Sequence, residues 1–218
     1  MIFDTEFVED KILQIENWVD ILTEAIDYDG PYFITALLFI MFNPIFWNIV
    51  ARLEYYTHFL TKLTGSAKRG CYLLAATIFC LGIARDLTFE KALRFQEISP
   101  LLDTPTIKNI GYVLLGVGQV LVLSSMYQLG ITGTYLGDYF GILMKDRVTA
   151  FPFNVSNNPM YQGSTMSFVG TTLISGKPAG LVLAFFVHFM YYFALKFEEP
   201  FTTEIYSRRD QERAAKKN

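Results

Sequence analysis

The hydrophobic pattern changes character near residue 30. Before it, Val8, Ile12, Ile15, Val19, Leu22 and Ile26 recur at helical spacing opposite Glu9, Glu16, Asp20 and Asp27, which predicts an amphipathic helix. After it, four stretches are almost free of charge: 32–51, 70–84, 109–131 and 178–197. A bilayer core takes about 20 helical residues, so each is a candidate membrane helix. The first contains Asn43-Pro44, which predicts a kink or a re-entrant turn. The second is short, and Arg85 at its end could snorkel to the interface. The third is the cleanest span. The fourth ends at Glu198 and Glu199, and Pro200 is expected to stop it. The uncharged segment 148–176 is too rich in Asn, Ser, Thr, Gly and Pro for a lipid-facing helix; its part from Met160 to Ser175 reads as a half-buried helix or hairpin arm. No internal repeat is visible. The expectation is an all-α, multi-pass transmembrane bundle of about four membrane-embedded helices. It divides into an acidic amphipathic segment (1–30), a membrane domain (31–206) and a basic tail (207–218).

Composition supports this class: 52% of the 218 residues are hydrophobic and 16% aromatic, too apolar for an ordinary soluble domain. The formal charge of -3 is unevenly placed, with nine acids against Lys11 in the first thirty residues. That balance leaves no nucleic-acid footprint, and an acidic start is not a secretory signal. An acidic helix face is repelled by anionic lipid, so the first helix is expected to dock on the bundle. Cys71 and Cys80 share one apolar run and read as packing residues with no disulfide or metal role. The tail RRDQERAAKKN reads as solvated, with weak attraction to anionic headgroups.

Four short stretches carry candidate chemistry. In LGVGQ, residues 115–119, Gly116 and Gly118 leave the backbone open to a neighbouring helix or a flat ligand. In NNPMYQGS, residues 157–164, Pro159 starts a helix whose first turn holds Tyr161 and Gly163; the free amides there could simply begin a helix or could hold a ligand carboxylate. In GTYLGDYFGIL, residues 133–143, Asp138 sits among Tyr135, Tyr139 and Phe140, either an interfacial aromatic belt or a charged site whose rings bind an ammonium group. In KFEEPF, residues 196–201, paired carboxylates at a membrane edge need a cationic partner. His188 in the last span reads as a packed histidine.

Together these stretches resemble the phosphatidylethanolamine N-methyltransferase family, most closely its fungal phospholipid methyltransferases that act on already methylated phosphatidylethanolamine. The carrying residues are FNPIFWNIVAR (42–52), LGVGQVLVLSSMYQLGITGTYLGDYFGIL (115–143), VTAFPFNVSNNPMYQGS (148–164) and KFEEPFTTEIY (196–206). Their joint order argues against a non-enzymatic membrane scaffold. The NP-x-Y-x-G turn with a terminal EE is also similar to the isoprenylcysteine carboxyl methyltransferases. The resemblance implies an endoplasmic reticulum or mitochondrial membrane enzyme using S-adenosylmethionine, held by Gly116, Val117 and Gly118 and by Glu198 and Glu199, with Tyr161 and Gly163 nearby. Its lipid substrates would be phosphatidyl-N-methylethanolamine and the dimethyl lipid, or all three ethanolamine lipids. No metal is implied. Asp138 is the candidate general base, and Tyr135, Tyr139 and Phe140 are the candidate wall for the amine.

A cofactor made in the cytosol places the Glu198 end and the C-terminus in the cytosol, in agreement with the six Lys and Arg residues from Lys196 onward. If Gly116 and Glu198 share one cofactor at similar depth, residues 160–175 do not cross the membrane. Asn154-Val155-Ser156 then becomes a lumenal glycosylation sequon. Charge counting favours five crossings instead, with the Arg52 to Arg69 loop inside; the shared cofactor is given more weight.

Overall fold

The computed structural model describes residues 5–215, with side chains from Lys11 onward, and every regular element among them is helical. The elements are α1 (Thr5–Glu24), α2 (Pro31–Thr57), α3 (Phe59–Thr64), α4 (Ala67–Arg94), α5 (Pro105–Thr134), a 3-10 turn (Gly137–Phe140), α6 (Pro159–Ser175) and α7 (Ala179–Ala215). Local chemistry sets their ends. Proline occupies the first turn of α2, α5 and α6, where its missing N–H is no loss. Ser66 and Thr104 accept from the Arg69 and Ile107 amides at 3.2 and 3.3 Å, capping α4 and α5. Fully buried Glu54 accepts from the Leu60 amide at 2.7 Å and the Thr61 hydroxyl at 2.5 Å, satisfying the start of α3. Four helices, α2, α4, α5 and α7, are long and apolar enough to cross a membrane.

These four and α6 run alternately up and down. At one end Gln96 exchanges hydrogen bonds with the Asp27 backbone (2.8 and 2.9 Å), and Lys177 donates to the Leu93 carbonyl (2.6 Å). At the other, Arg52 donates to the Phe197 carbonyl (2.8 Å) and Arg209 to the Met144 carbonyl (2.7 Å). The 17 residues of α6 cover about 25 Å between these ends, antiparallel to both α5 and α7. Thus 160–175 reaches as deep as its neighbours, contrary to the shared-depth expectation. Asn154, in the loop before α6, lies at the Glu198 end rather than the opposite one.

Glycines set how closely α6 lies against α5. A Cβ on Gly118 would stand 2.5 Å from the Gly163 carbonyl oxygen, and one on Gly111 would stand 2.8 Å from that of Gly170. Both helices therefore present glycine at seven-residue spacing along one seam. Lipid tails are as apolar as side chains, so such backbone proximity is what drives helices together in a bilayer. Gly116, by contrast, has nothing within 4 Å of its Cβ position. At Gly130, φ 62° interrupts α5, a conformation open to glycine, and redirects the chain toward the 3-10 turn.

Several sequence expectations change. Pro44 sits inside an uninterrupted α2 that runs from one end to the other, neither re-entrant nor broken. Pro200 does not stop α7, which continues to Ala215; Arg52 takes the Phe197 carbonyl in the turn that the proline weakens. The α1 stripe is not docked: Ile12, Ile15 and Val19 are about half exposed (50%, 55%, 51%), and burial begins at Ile26. The Gln96 clamp on Asp27 fixes the chain there, and α1 extends beyond it. His188 is exposed on the outer face of α7. Cys71 is buried and Cys80 exposed.

The seam yields a direct test. Gly118→Leu would push carbon into the Gly163 backbone, and is expected to cost about 1–3 kcal/mol or more, read as a lower Tm in detergent. Gly116→Ala, with open space around it, should keep the parent Tm.

Candidate active site

Helices α2, α4, α5, α6 and α7 and the 3-10 turn enclose a cavity of about 420 Å³, within the range of small-ligand sites. Glu198 lies on its wall. Its Oε1 accepts from Trp47 Nε1 at 2.5 Å and Asn48 Nδ2 at 2.9 Å, and its Oε2 accepts from Tyr161 Oη at 2.6 Å. Adjacent positions on α2 supply two donors; the third comes from the first turn of α6, started by Pro159. A carboxylate offers about four acceptor sites, so three fixed donors leave one for a ligand. Asp138 faces the same cavity from the 3-10 turn. Its Oδ2 accepts from Thr202 Oγ1 at 3.0 Å, and Thr202 follows Glu198 by one helical turn.

Aromatic rings line the space between these acids. Tyr135, Trp47, Tyr161 and Tyr191 all border it; the Tyr161 and Tyr191 centroids are 4.9 Å apart, edge to face. Arg85 supplies a cation, with Nη1 donating to Tyr191 Oη at 2.5 Å and Nη2 to Asp86 at 2.9 Å. Two buried atoms of lining residues, Asn43 Oδ1 and Thr134 Oγ1, have no hydrogen-bond partner. Unpaired buried polar atoms are costly unless a ligand completes them. Two carboxylates, aromatic faces and unfilled polar atoms suit a polar, cationic molecule, as a sulfonium amino acid with a ribose would be. Among the described residues no group of three or more acids, His and Cys could hold a metal.

The sequence-derived residues separate on the structure. Glu198, Asp138, Tyr161 and Tyr135 meet at the cavity. Glu199 turns outward and accepts from Asn158 Nδ2 at 2.8 Å, bridging α7 to the start of α6. Gly116, Val117 and Gly118 do not line the cavity; Gly118 and Gly163 face each other in the α5–α6 seam. Tyr139 and Phe140 are buried in the core, with Tyr139 stacked on Phe201 at 5.0 Å. Arg85 does not snorkel outward; its side chain is 13% exposed and points into the bundle. The structure adds Trp47, Asn48, Tyr191 and Thr202, which bond Glu198, Arg85 and Asp138. Trp47 and Asn48 lie within the FNPIFWN stretch, where polar groups inside an uncharged run were the available signal.

A family model described as phospholipid methyltransferase matches residues 107–209, from α5 to the distal part of α7. The chain is 59% identical to the phosphatidyl-N-methylethanolamine N-methyltransferase of Saccharomyces cerevisiae, over 94% of this chain and 98% of that protein. It is 55% identical to the protein of the same name from Emericella nidulans (90% and 96% covered). It is 47% identical to the phosphatidylethanolamine N-methyltransferase of Homo sapiens (84% and 92% covered). No solved structure matches. With near-complete coverage at more than half identity to the two fungal proteins, and with an acid-bearing, aromatic-lined cavity to which the matched segment contributes, the chain belongs to the phospholipid methyltransferase family.

Proposed function

We propose that this methyltransferase moves methyl groups from S-adenosylmethionine to the amines of phosphatidyl-N-methylethanolamine and phosphatidyl-N,N-dimethylethanolamine, giving phosphatidylcholine. The observation that carries this reading is the convergence of Glu198 and Asp138 on one aromatic-lined cavity. S-adenosylmethionine, when bound, supplies a methyl group on a positively charged sulfur. Glu198 gives its free acceptor site to the cofactor ammonium, while Trp47, Asn48 and Tyr161 hold the carboxylate in place. Gly118 acts through the seam, fixing α6 and with it Tyr161. Gly116 leaves open space on α5, and Glu199, bonded to Asn158, ties α7 to the start of α6 outside the cavity.

The amine must lose a proton before it can be methylated. With a pKa near that of Lys, about 10.4, roughly one molecule in a thousand is neutral at pH 7, a deficit near 4–5 kcal/mol. Asp138 is the proton acceptor, oriented by Thr202. Tyr135, with Trp47 and Tyr161, forms the wall against which a methylated ammonium rests. Tyr139 and Phe140 anchor the 3-10 turn that carries Asp138 in the core.

The enzyme works in the endoplasmic reticulum membrane with its Glu198 end and C-terminus in the cytosol. Arg52, Lys62, Lys68, Arg69, Lys145 and Arg147 lie at that end, against Lys91, Arg94, Lys108 and Lys177 at the other, a positive-inside bias. In this arrangement α6 crosses with its neighbours. Cysteines replacing Lys145 or Asn154 should react with an impermeant maleimide from the same face as a cysteine in the C-terminal tail, and Asn154 should carry no glycan. Labelling from opposite faces would overturn the five-helix topology.

Glu198→Gln is expected to weaken cofactor binding by roughly 2–5 kcal/mol, read by isothermal titration in detergent, with the protein still accumulating in membranes. Glu199→Gln, at an exposed contact, should cost far less. Unchanged affinity in Glu198→Gln would remove the cofactor assignment.

Asp138→Asn should lower turnover at pH 7 by about a hundredfold and recover part of it as rising pH deprotonates the amine in solution. The same assay, in membranes lacking other methyltransferases, should give higher kcat/KM on the two methylated lipids than on phosphatidylethanolamine. A primary ammonium keeps donors that ring faces leave unmet, worth about 1–3 kcal/mol. Equal values on all three lipids would indicate a full-range enzyme.

A further inference from the structure

One side of the cavity is bordered by two helices that barely meet. Helix α5 is joined along its length to α6 but touches α4 sparsely. Phe79, Gly82 and Ile83 of α4 and Val122, Met126 and Leu129 of α5 border the cavity on that side. Phe79 and Ile83 are 54% and 45% exposed, and a Cβ added to Gly82 would meet nothing within 4 Å. Both helices are long and apolar enough to cross a membrane, so in a bilayer this apolar gap would face lipid rather than water.

One helical turn past Gly82 stands Arg85. Its guanidinium lies 4.9 Å from the Phe168 ring centroid and is bound by Tyr191 Oη, which also meets Ser164 Oγ at 3.0 Å. Its ion-pair partner Asp86 is 59% exposed and sits toward the outside. A guanidinium presents five donors in a planar fork. Tyr191 and Asp86 use three of them, and a cation inside a membrane bundle is retained for a partner.

We propose that the α4–α5 gap is the portal through which the lipid substrate reaches the site, and that Arg85, with Ser164 and Tyr191, binds its phosphodiester. This rests on the methyltransferase reading above. Tyr191 precedes Glu198 by seven residues, placing it on the same face of α7 and about 10 Å deeper from the Glu198 end. A phospholipid in the leaflet at that end presents its phosphate deeper than its amine. Arg85 below and the two carboxylates above repeat that order, anion acceptor under cation acceptor. Bidentate guanidinium–phosphate pairing is the geometry such an arginine favours.

The other oxyanion that could reach Arg85 is the cofactor carboxylate, and two binding measurements on the full chain in detergent separate the sources. Arg85→Gln is expected to raise KM for phosphatidyl-N-methylethanolamine about tenfold or more, with S-adenosylhomocysteine affinity retained in the absence of lipid. Arg85→Lys, which keeps charge but not the fork, should recover part of the loss and serves if the Gln variant fails to accumulate. Gly82→Trp, filling the open notch, should raise KM for the bilayer lipid while keeping S-adenosylhomocysteine binding. If Arg85→Gln instead weakens S-adenosylhomocysteine binding and leaves lipid KM unchanged, Arg85 belongs to the cofactor and the proposal is overturned. An unchanged lipid KM in Gly82→Trp overturns the portal. Failure of the cofactor reading shows separately, as unaltered cofactor affinity in Glu198→Gln.

Discussion

The Glu198 carboxylate ties the molecule together. A charge inside a membrane bundle is expensive unless donors surround it, and Glu198 obtains its donors from two other helices: Trp47 and Asn48 on α2, Tyr161 on α6. The contacts bridge 151, 150 and 37 residues of sequence. Meeting them brings α2, α6 and α7 together and leaves a cavity at their junction. The same constraint explains why α7 must continue through Pro200. Phe201 stacks on Tyr139 and Thr202 holds Asp138, so the second carboxylate is placed by the helix that carries the first.

Two different kinds of packing support that junction. Along the α5–α6 seam, glycine faces glycine and the backbones almost touch, giving a rigid pair in an environment where hydrophobicity alone drives nothing together. That rigidity fixes Tyr161, two residues before Gly163. Around the 3-10 turn, aromatic stacking on Phe201 and the fully buried Tyr139 do the same for Asp138. Glycines that resemble a cofactor motif in sequence therefore have a packing duty in this fold at Gly118, and an open backbone at Gly116.

The bundle is also asymmetric. Its α5–α6–α7 side is closely packed, while α4 meets α5 only sparsely beside apolar lining residues. An enzyme that takes one polar substrate from water and one from the bilayer needs two routes to a single chamber. On the proposed reading, the Glu198 end with its loops and basic residues is the first, and the gap beside Gly82 is the second.

The membrane class, the all-helical fold and the candidacy of Glu198, Asp138 and Tyr161, which meet at one cavity, were legible in the chain, because uncharged runs and acids at their edges are local signals. The family was legible in the order of four motifs. What sequence left open was direction. Glu198 and Glu199 are neighbours, yet helical geometry turns one into the cavity and the other toward Asn158. The depth of α6 depended on a glycine seam between residues 45 apart in sequence, Gly118 and Gly163, which no local pattern reveals. Pro44 and Pro200 lie within helices that continue past them, where their local signal alone predicts an end or a kink. Arg85 carries the same lesson. A cation at the end of an apolar run reads as an interfacial anchor until tertiary packing brings Tyr191 and Phe168 to it and turns it inward.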